Sequence, residues 1–249
     1  MIKRLFLITL ASLSFAAQAD IDSAIANYKS KNYQVALPKF NSLASVGDKK
    51  AQTYLALIYA YGRGVPQDNK EALKWFTLAA DQGYADAQYN LGILYEHGRG
   101  VPQDFDKALK WYTLAADQED ANAQYNIGVL FDEGHGVPQD FREAVKWYLL
   151  SAEQGNANAQ NNLGVMFEYG QGVPIKKIVA HALYNLSAAN GNNKAATNRN
   201  ELMRSMKASQ IYAGQDLSRK LAKKGNFLAA LARYLENPTA LAMKCIFEN

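Results

Sequence analysis

Apolar side chains recur along this chain at the spacing of α-helices. In one stretch, the apolar residues fall at positions i, i+3, i+4, i+7 and i+8: Ala108, Trp111, Tyr112, Ala115 and Ala116. This spacing lines one face of a helix, and that face has to pack against another element to leave water. The pattern predicts an amphipathic helix whose Trp111–Tyr112 pair, like its counterparts upstream and downstream, packs in the core.

Aspartates mark the predicted starts of these helices. They stand before the apolar stripe in three places, at Asp68, Asp104 and Asp140. A short polar side chain at this position accepts hydrogen bonds from the free N–H groups of the first helical turn. Glu71 and Glu143 follow two of these aspartates by three residues, which predicts capping boxes at both starts.

A second helix follows each of these helices after a short break. Its N-cap is predicted near Asp86, Asn122 or Asn158. Each second helix has a glycine near its middle, although an interior glycine costs about 1 kcal/mol relative to alanine. These glycines are Gly92, Gly128 and Gly164. A cost repeated in three helices needs a structural reason, and we expect two helix backbones to approach closely there.

The helices are joined by a Gly-x-Gly-Val-Pro turn that recurs four times. Its first glycines are Gly62, Gly98, Gly134 and Gly170, each 36 residues after the last. The first two 36-residue units are identical at 24 positions, so the chain is a tandem array. A fixed period of roughly 20 to 50 residues is typical of stacked supersecondary units whose exposed faces serve recognition.

The repeat register predicts four segments. They are a signal peptide (1–19), a degenerate N-terminal capping repeat (20–61), the repeat array (62–205) and a C-terminal helical cap (206–249). Within the cap, two helical stretches are predicted over Ser209–Lys224 and Asn226–Asn237. An apolar segment after Pro238 is predicted to complete the cap.

The first residues have the composition of a secretory leader. Lys3 and Arg4 precede an apolar run that is too short to span a bilayer, and Ala17-Gln18-Ala19 forms a small-x-small cleavage site before Asp20. We expect a periplasmic or secreted protein without a stable membrane anchor. The sequence has one cysteine, Cys245, so an internal disulfide cannot form and packing must supply the stability.

Charge is distributed unevenly along the chain. Residues 50–174 contain 9 basic and 16 acidic side chains, whereas residues 175–249 contain 12 basic and 4 acidic ones. Such a charge dipole can orient a charged partner or favour head-to-tail contact between copies. The basic cluster that includes Lys220 and Lys223 is predicted to be a solvated helix end, with contact to anionic lipid or an acidic neighbour as the alternative. An exported chain is not expected to bind nucleic acid.

No residue pattern indicates a catalytic, cofactor-binding or metal site. The Gly-x-Gly turns lack the preceding strand and the later helix-start glycine of a dinucleotide-binding loop. The three histidines, His97, His135 and His181, are not at metal-ligand spacing. His97 and His135 take positions where other repeats have varied polar residues, so they are predicted to be ordinary surface residues.

The repeated motifs resemble the Sel-1-like repeat family, which is related to tetratricopeptide arrays. They are Ala-x-x-Trp-Tyr on one helix, Ala-Gln-x-x-Leu-Gly-x-x-Tyr on the other, and Gly-x-Gly-Val between them. The similarity extends from Gln34 to about Gly191. It implies an all-α fold, namely a right-handed α-solenoid of helix-turn-helix repeats with a concave groove and a C-terminal helical cap. Family members mostly act as adaptors or scaffolds, often in the cell envelope.

The same resemblance implies which side chains line the groove. They are Tyr89, Asn90, Ile93, Glu96, Tyr125, Asn126, Val129, Asp132, Asn161, Asn162, Val165 and Glu168. An amide can donate and accept hydrogen bonds at once, so Asn90, Asn126 and Asn162 either hold the backbone of an extended peptide or bond to a neighbouring repeat. The acidic row either receives a basic segment or is simply solvated.

The sequence therefore predicts a non-catalytic exported scaffold that binds a protein or peptide of the cell envelope through its concave surface. An inhibitor or immunity protein would be one form of it, and we expect a monomer. Two alternatives stay open. One is β-lactam binding or a β-lactamase-like activity, by analogy with a cysteine-rich branch of the family whose cysteine pairs this chain lacks. The other is a self-assembling structural protein, driven by the acidic array and the basic end.

Overall fold

Polar caps and glycine turns divide the chain into short helices. The computed structural model describes residues 18–235, which form thirteen α-helices joined by turns. The all-α prediction is confirmed for this part of the chain. Most of the predicted signal peptide and the C-terminal residues 236–249, including Cys245, lie outside the described residues.

The chain divides into two units after Gln118. The first unit contains α1 (18–29), α2 (Tyr33–Ser45), α3 (Lys49–Tyr61), α4 (Asn69–Asp81), α5 (Ala85–His97) and α6 (Phe105–Ala116). The second unit contains α7 (Ala121–Glu133), α8 (Phe141–Glu153), α9 (Ala157–Tyr169), α10 (Lys177–Ala189), α11 (Asn193–Met203), α12 (Ala208–Leu221) and α13 (Phe227–Leu235).

Helices that follow one another in sequence pack together within each unit. In the first unit, this holds for each consecutive pair from α2 to α6. In the second unit, it holds from α7 to α11, after which α12 packs on α10 and α13 packs on both α12 and α8. The two helices predicted after residue 206 are therefore present, and they cover the side of the array next to α8 and α10.

The predicted N-caps of the first helices are confirmed. The carboxylates of Asp68, Asp104 and Asp140 accept hydrogen bonds from backbone N–H groups in the first turns of α4, α6 and α8. The predicted capping boxes are wrong, because the N–H groups of Asp68 and Asp140 donate to backbone carbonyls of the preceding helices. Glu71 and Glu143 instead form ion pairs within their own helices, with Lys74 and Lys146.

The predicted N-caps of the second helices are wrong by two residues. Asp120 caps α7 and Asn156 caps α9, while Asn122 and Asn158 lie inside the first turns. The corresponding position before α5 is Tyr84, whose side chain makes no capping bond. Two polar residues stand close together at each start, and only the first of them has the extended backbone of a cap.

The two glycines of each repeated turn have different structural roles. Gly98 ends α5 with φ 64°, and its N–H donates to the carbonyls of Leu94 and Tyr95. Gly100 has φ 76°, and a Cβ there would lie 2.5 Å from the carbonyl oxygen of Asn69 at the start of α4. The second glycine therefore lets the turn lie against the start of the preceding helix pair. The prediction of a helix-joining turn is confirmed.

The mid-helix glycines make room for an aromatic ring, so the predicted contact between two backbones is wrong. A Cβ on Gly92 would lie 2.5 Å from the ring of Tyr112, and a Cβ on Gly128 would lie 2.6 Å from the ring of Tyr148. Gly164 faces Tyr184 in the same way. Each of these tyrosines is fully buried, so the ring fills the space that the missing side chain leaves. The tryptophans beside them, in contrast, are only half-buried.

Candidate partner-binding face

The twelve residues expected to line a groove all lie on second helices. Four of them belong to α5 in the first unit, and the others belong to α7 and α9 in the second. All are half-buried except Asn161, whose side chain is 3% exposed. The aromatic members contact the buried tyrosines, with ring centroids 5.9 Å apart in both Tyr89–Tyr112 and Tyr125–Tyr148.

The acidic members of the set are hydrogen-bonded to buried tyrosines. These acids are Glu96, Asp132 and Glu168. Tyr148 donates to Asp132 Oδ2 over 3.0 Å, and Tyr184 donates to Glu168 Oε2 over 2.6 Å. Tyr112 donates to Glu96 in the same way within the first unit. Each bond joins a second helix to the following first helix, so the carboxylates connect neighbouring helices.

The ionisation of these pairs depends on burial. Partial burial raises the pKa of the Asp132 carboxyl above its usual range, the hydrogen bond from Tyr148 lowers it, and the nearby Glu133 raises it. Burial is also the main cause of the raised pKa of the Tyr148 and Tyr184 hydroxyls. Both tyrosines therefore remain protonated hydrogen-bond donors at physiological pH.

The repeats show that the hydroxyl and the carboxylate occur together. Where Tyr112 is replaced by Phe76 one repeat earlier, Glu96 is replaced by Ala60. One repeat earlier again, the corresponding residues are Phe40 and Ala24. Since the carboxylate appears only opposite a tyrosine, a structural role in bonding that hydroxyl explains its presence.

The amides of the second unit form a continuous hydrogen-bonded chain. The Asn198 amide donates to Asn161, Asn161 donates to Asn162, and Asn162 donates to the hydroxyl of Tyr148, over 3.0, 3.2 and 3.1 Å. Tyr148 in turn donates to Asp132. The chain connects α11, α9, α8 and α7, so Asn162 has the structural role of bonding to a neighbouring repeat. Asn198 belongs to the same repeat position as Asn162, and sequence reasoning missed it.

The other groove amides differ from Asn162. Asn90 donates over 2.7 Å to the carbonyl of Asp86 in its own helix. Asn126 lies half-buried on α7, and among the described residues of the second unit no hydrogen bond to its side chain is found. Of the three amides, Asn126 is thus the one best able to bind a partner without first breaking a bond.

A row of buried glutamines, also missed by sequence reasoning, joins neighbouring repeats behind this face. Gln88 accepts from Gln118 in the first unit, and Gln124 accepts from Gln154 in the second, both over 2.8 Å. Gln160 accepts from Asn190 over 2.9 Å and donates to the carbonyl of Ala152. The sequence did contain a clue to these bonds, because glutamine recurs at the same position of successive repeats. A side chain that only faces water would not have to be glutamine each time, whereas a buried amide needs hydrogen-bond partners.

Histidine and acidic side chains do not form a metal site in the part of the chain that the structure describes. The prediction that His97 and His135 are surface residues is confirmed, since both are exposed, and His135 lies 3.2 Å from Glu133. His181 is different, because its side chain is 1% exposed. Between residues 18 and 235, no helix is long and apolar enough to cross a membrane.

The repeat geometry agrees with a comparison against protein families. The model of the Sel1 repeat matches four consecutive segments, residues 49–84, 85–120, 121–156 and 157–192. The chain belongs to the Sel1 repeat family. Each matched segment holds a second helix, the Gly-x-Gly-Val-Pro turn and the following first helix, and the last three segments each contain both members of a glycine–tyrosine contact.

Solved structures of Sel1 repeat proteins resemble the chain. A Sel1 repeat protein from Oxalobacter formigenes is 42% identical with a TM-score of 0.60, over 67% of this chain and 49% of that one. A protective antigen present in uropathogenic Escherichia coli strains, which displays an SLR fold, is 27% identical with a TM-score of 0.54, over 88% and 56%. A Sel1 repeat protein from Klebsiella pneumoniae is 21% identical with a TM-score of 0.52, over 75% and 93%, and shows the fold alone.

These comparisons confirm the prediction of an α-solenoid of helix pairs. The chain spans about half the length of the first two of these Sel1 repeat structures. Among curated proteins, no match to the chain is found.

Tyr148→Phe should destabilise the Sel1 repeat that contains it by about 1 kcal/mol, because the half-buried Asp132 carboxylate and the Asn162 amide both lose a partner. The pKa of Asp132 should rise further, since the hydrogen bond that lowers it is gone. Urea unfolding and NMR titration of the carboxyl carbon measure the two effects. Tyr148→Phe combined with Asp132→Ala, the pairing that Phe76 and Ala60 already show, should recover part of the stability. An unchanged Asp132 titration would contradict the assigned bond.

Proposed function

We propose that this Sel1 repeat protein is an exported, non-catalytic scaffold that binds a protein or peptide of the cell envelope. Its family supports the general class, because Sel1 repeats typically mediate protein–protein interaction. The leader-like sequence before Asp20 supports export. The binding surface in the proposal is the face of the second helices of the second unit, α7 and α9.

The observation that carries the proposal is the rigid, mixed surface on α7 and α9. Its Asn161, Asn162 and Asp132 side chains are fixed by the chain of bonds from Asn198 to Asp132. Tyr125 and Val129 lie half-buried on the same helix as Asn126, whose amide has no hydrogen bond among the described residues of the second unit. Side chains already held in place lose little conformational entropy on binding. Amides between apolar and aromatic side chains fit an extended peptide, which offers backbone donors and acceptors together with side chains.

The proposal predicts that Asn126→Arg abolishes partner capture without loss of stability. The arginine side chain is longer than asparagine and charged, so it would block the proposed face at this position. Stability should not change, because Asn126 has no hydrogen bond to lose among the described residues of its unit. The measurement is affinity capture by the purified mature chain from envelope extract, followed by mass spectrometry and by titration of the recovered partner.

Ser209→Arg is the matched control, because it adds the same charge at an exposed position on α12. We expect capture to survive this change and to fall at least tenfold with Asn126→Arg. Equal capture by both variants would reject the proposed face. Recovery of the chain in the cytoplasmic fraction with its leader still attached would reject the export part alone.

A further inference from the structure

The C-terminal end of the second unit concentrates positive charge around two neighbouring clefts. Residues 175–235 contain 11 basic and 2 acidic side chains. One cleft, of about 590 Å³, lies between α12 and α13. The other, of about 740 Å³, lies between α13 and residues 175–178 before and at the start of α10. Arg233 and Tyr234 line both clefts, so the two are adjacent.

Each cleft presents several cations and few acids. Lys220, Lys223 and Arg233 line the first cleft, where Asp216 bonds to Lys220 over 2.6 Å. Lys176 and Lys177 line the second cleft with Arg233. In the described part of the chain, no carboxylate lies within ion-pair distance of Lys176, Lys223 or Arg233. Three cations therefore line the two clefts with no ion-pair partner among residues 18–235.

The second cleft also exposes apolar surface beside these cations. Ile175 and Ile178 line it, whereas Leu217 and Ala230, which line the first cleft, are buried. Ile175 is 59% exposed and Tyr234 is 37% exposed. An inorganic anion would use the cations and leave these side chains in water. A ligand with an anionic head and an apolar portion would use both.

We infer that the paired clefts bind a phosphate-bearing amphiphile, with the phosphate against Arg233 and its neighbouring lysines. A guanidinium matches the geometry of phosphate oxygens and can donate two parallel hydrogen bonds. The volumes fall within the range of roughly 300 to 1,000 Å³ that is common for small-molecule sites. The lining residues of this site lie on or next to α12, α13 and the start of α10, and none of them belongs to the proposed partner-binding face, so the inference does not depend on that face.

The test titrates the purified mature chain with three probes, followed by isothermal calorimetry and backbone amide NMR. They are dihexanoyl phosphatidylglycerol below its micelle concentration, dihexanoyl phosphatidylcholine and inorganic phosphate. We expect the anionic lipid to shift amides of α12, α13 and residues 175–178. It should bind at least tenfold more tightly than the other two probes, and binding should weaken with added salt.

A charge-matched pair of variants makes the test specific. Lys223→Gln with Arg233→Gln should weaken binding of the anionic lipid at least tenfold, as the loss of two nearby cations predicts. Lys194→Gln with Arg204→Gln removes the same charge at exposed positions outside the clefts, and should change binding less than threefold.

Equal weakening in both variants would overturn the inference, because the net positive charge of the protein would then be enough to explain binding of the anionic lipid. Inorganic phosphate that binds as tightly as the lipid would overturn the amphiphile assignment. Absence of saturable binding would also overturn it.

Discussion

Gly128→Ala is expected to lower the free energy of unfolding by about 2 kcal/mol. The new Cβ would lie 2.6 Å from the Tyr148 ring, which is fully buried and held by its bond to Asp132. Overpacking of this kind costs up to about 3 kcal/mol, which exceeds the gain of about 1 kcal/mol from alanine in a helix. Urea unfolding of the second unit, followed by far-UV circular dichroism, measures the difference.

The chain provides its own control for this prediction. Two repeats earlier, Gly128, Asp132 and Tyr148 correspond to Ala56, Ala60 and Phe76. Ala56 and Phe76 belong to one buried cluster. Gly128→Ala, Asp132→Ala and Tyr148→Phe together should therefore recover at least half of the loss, because a ring without its hydroxyl bond can shift. A single variant as stable as the wild type would show that the glycine is not required by the ring.

His181→Leu is expected to stabilise the protein by about 1–3 kcal/mol. His181 is 1% exposed, and among the described residues neither ring nitrogen has a hydrogen-bond partner. An unsatisfied buried polar group costs about 1–3 kcal/mol. The same repeat position holds an aliphatic residue elsewhere, Leu109 and Val145 in the two preceding repeats, so leucine fits this environment. A rise in the midpoint of thermal unfolding at pH 7.5 tests the prediction.

The stabilisation should grow as the pH falls. Burial, assisted by the nearby charge of Arg199, lowers the pKa of His181 in the folded state below its ordinary value of 6.5. As the pH falls below that ordinary value, the unfolded state takes up a proton that the folded state resists, so the wild type loses stability. Between pH 7.5 and 5, the advantage of the leucine variant should increase by up to about 2 kcal/mol. An advantage that stays constant with pH would show that His181 titrates normally.

Helical periodicity explains which parts of the fold were predictable. A contact between i and i+4 lies within one helix, so the apolar stripes and the caps at Asp68 and Asp104 could be recognised from local spacing. Tyr148 contacts Gly128 from 20 residues away and Asp132 from 16 residues away. No local period indicates those partners, which is why the glycines were assigned the wrong neighbour.

Comparison of repeat positions contained information that periodicity lacked. The joint replacement of tyrosine by phenylalanine and of the acid by alanine, as in Phe76 and Ala60, already indicated that the two side chains touch. The same comparison of repeats shows that position 181 holds a histidine where the two preceding repeats hold aliphatic residues. The bonds of Asn162 could not be predicted, because an amide on a helix face can equally well bond to a neighbour or a ligand.

Photo-crosslinking from position 122 tests the proposed binding face most directly. Asn122 is exposed and lies one helical turn before Asn126 on α7, so a bulky side chain there leaves the Asn126 amide in place. Benzoylphenylalanine would replace Asn122 in one variant and Ser209 in another, with the full chain expressed in its own cells and irradiated before lysis. We predict an adduct of defined mass from position 122 and none from position 209. No adduct from position 122, or the same adduct from both positions, would contradict a partner-binding scaffold that uses the face of α7 and α9.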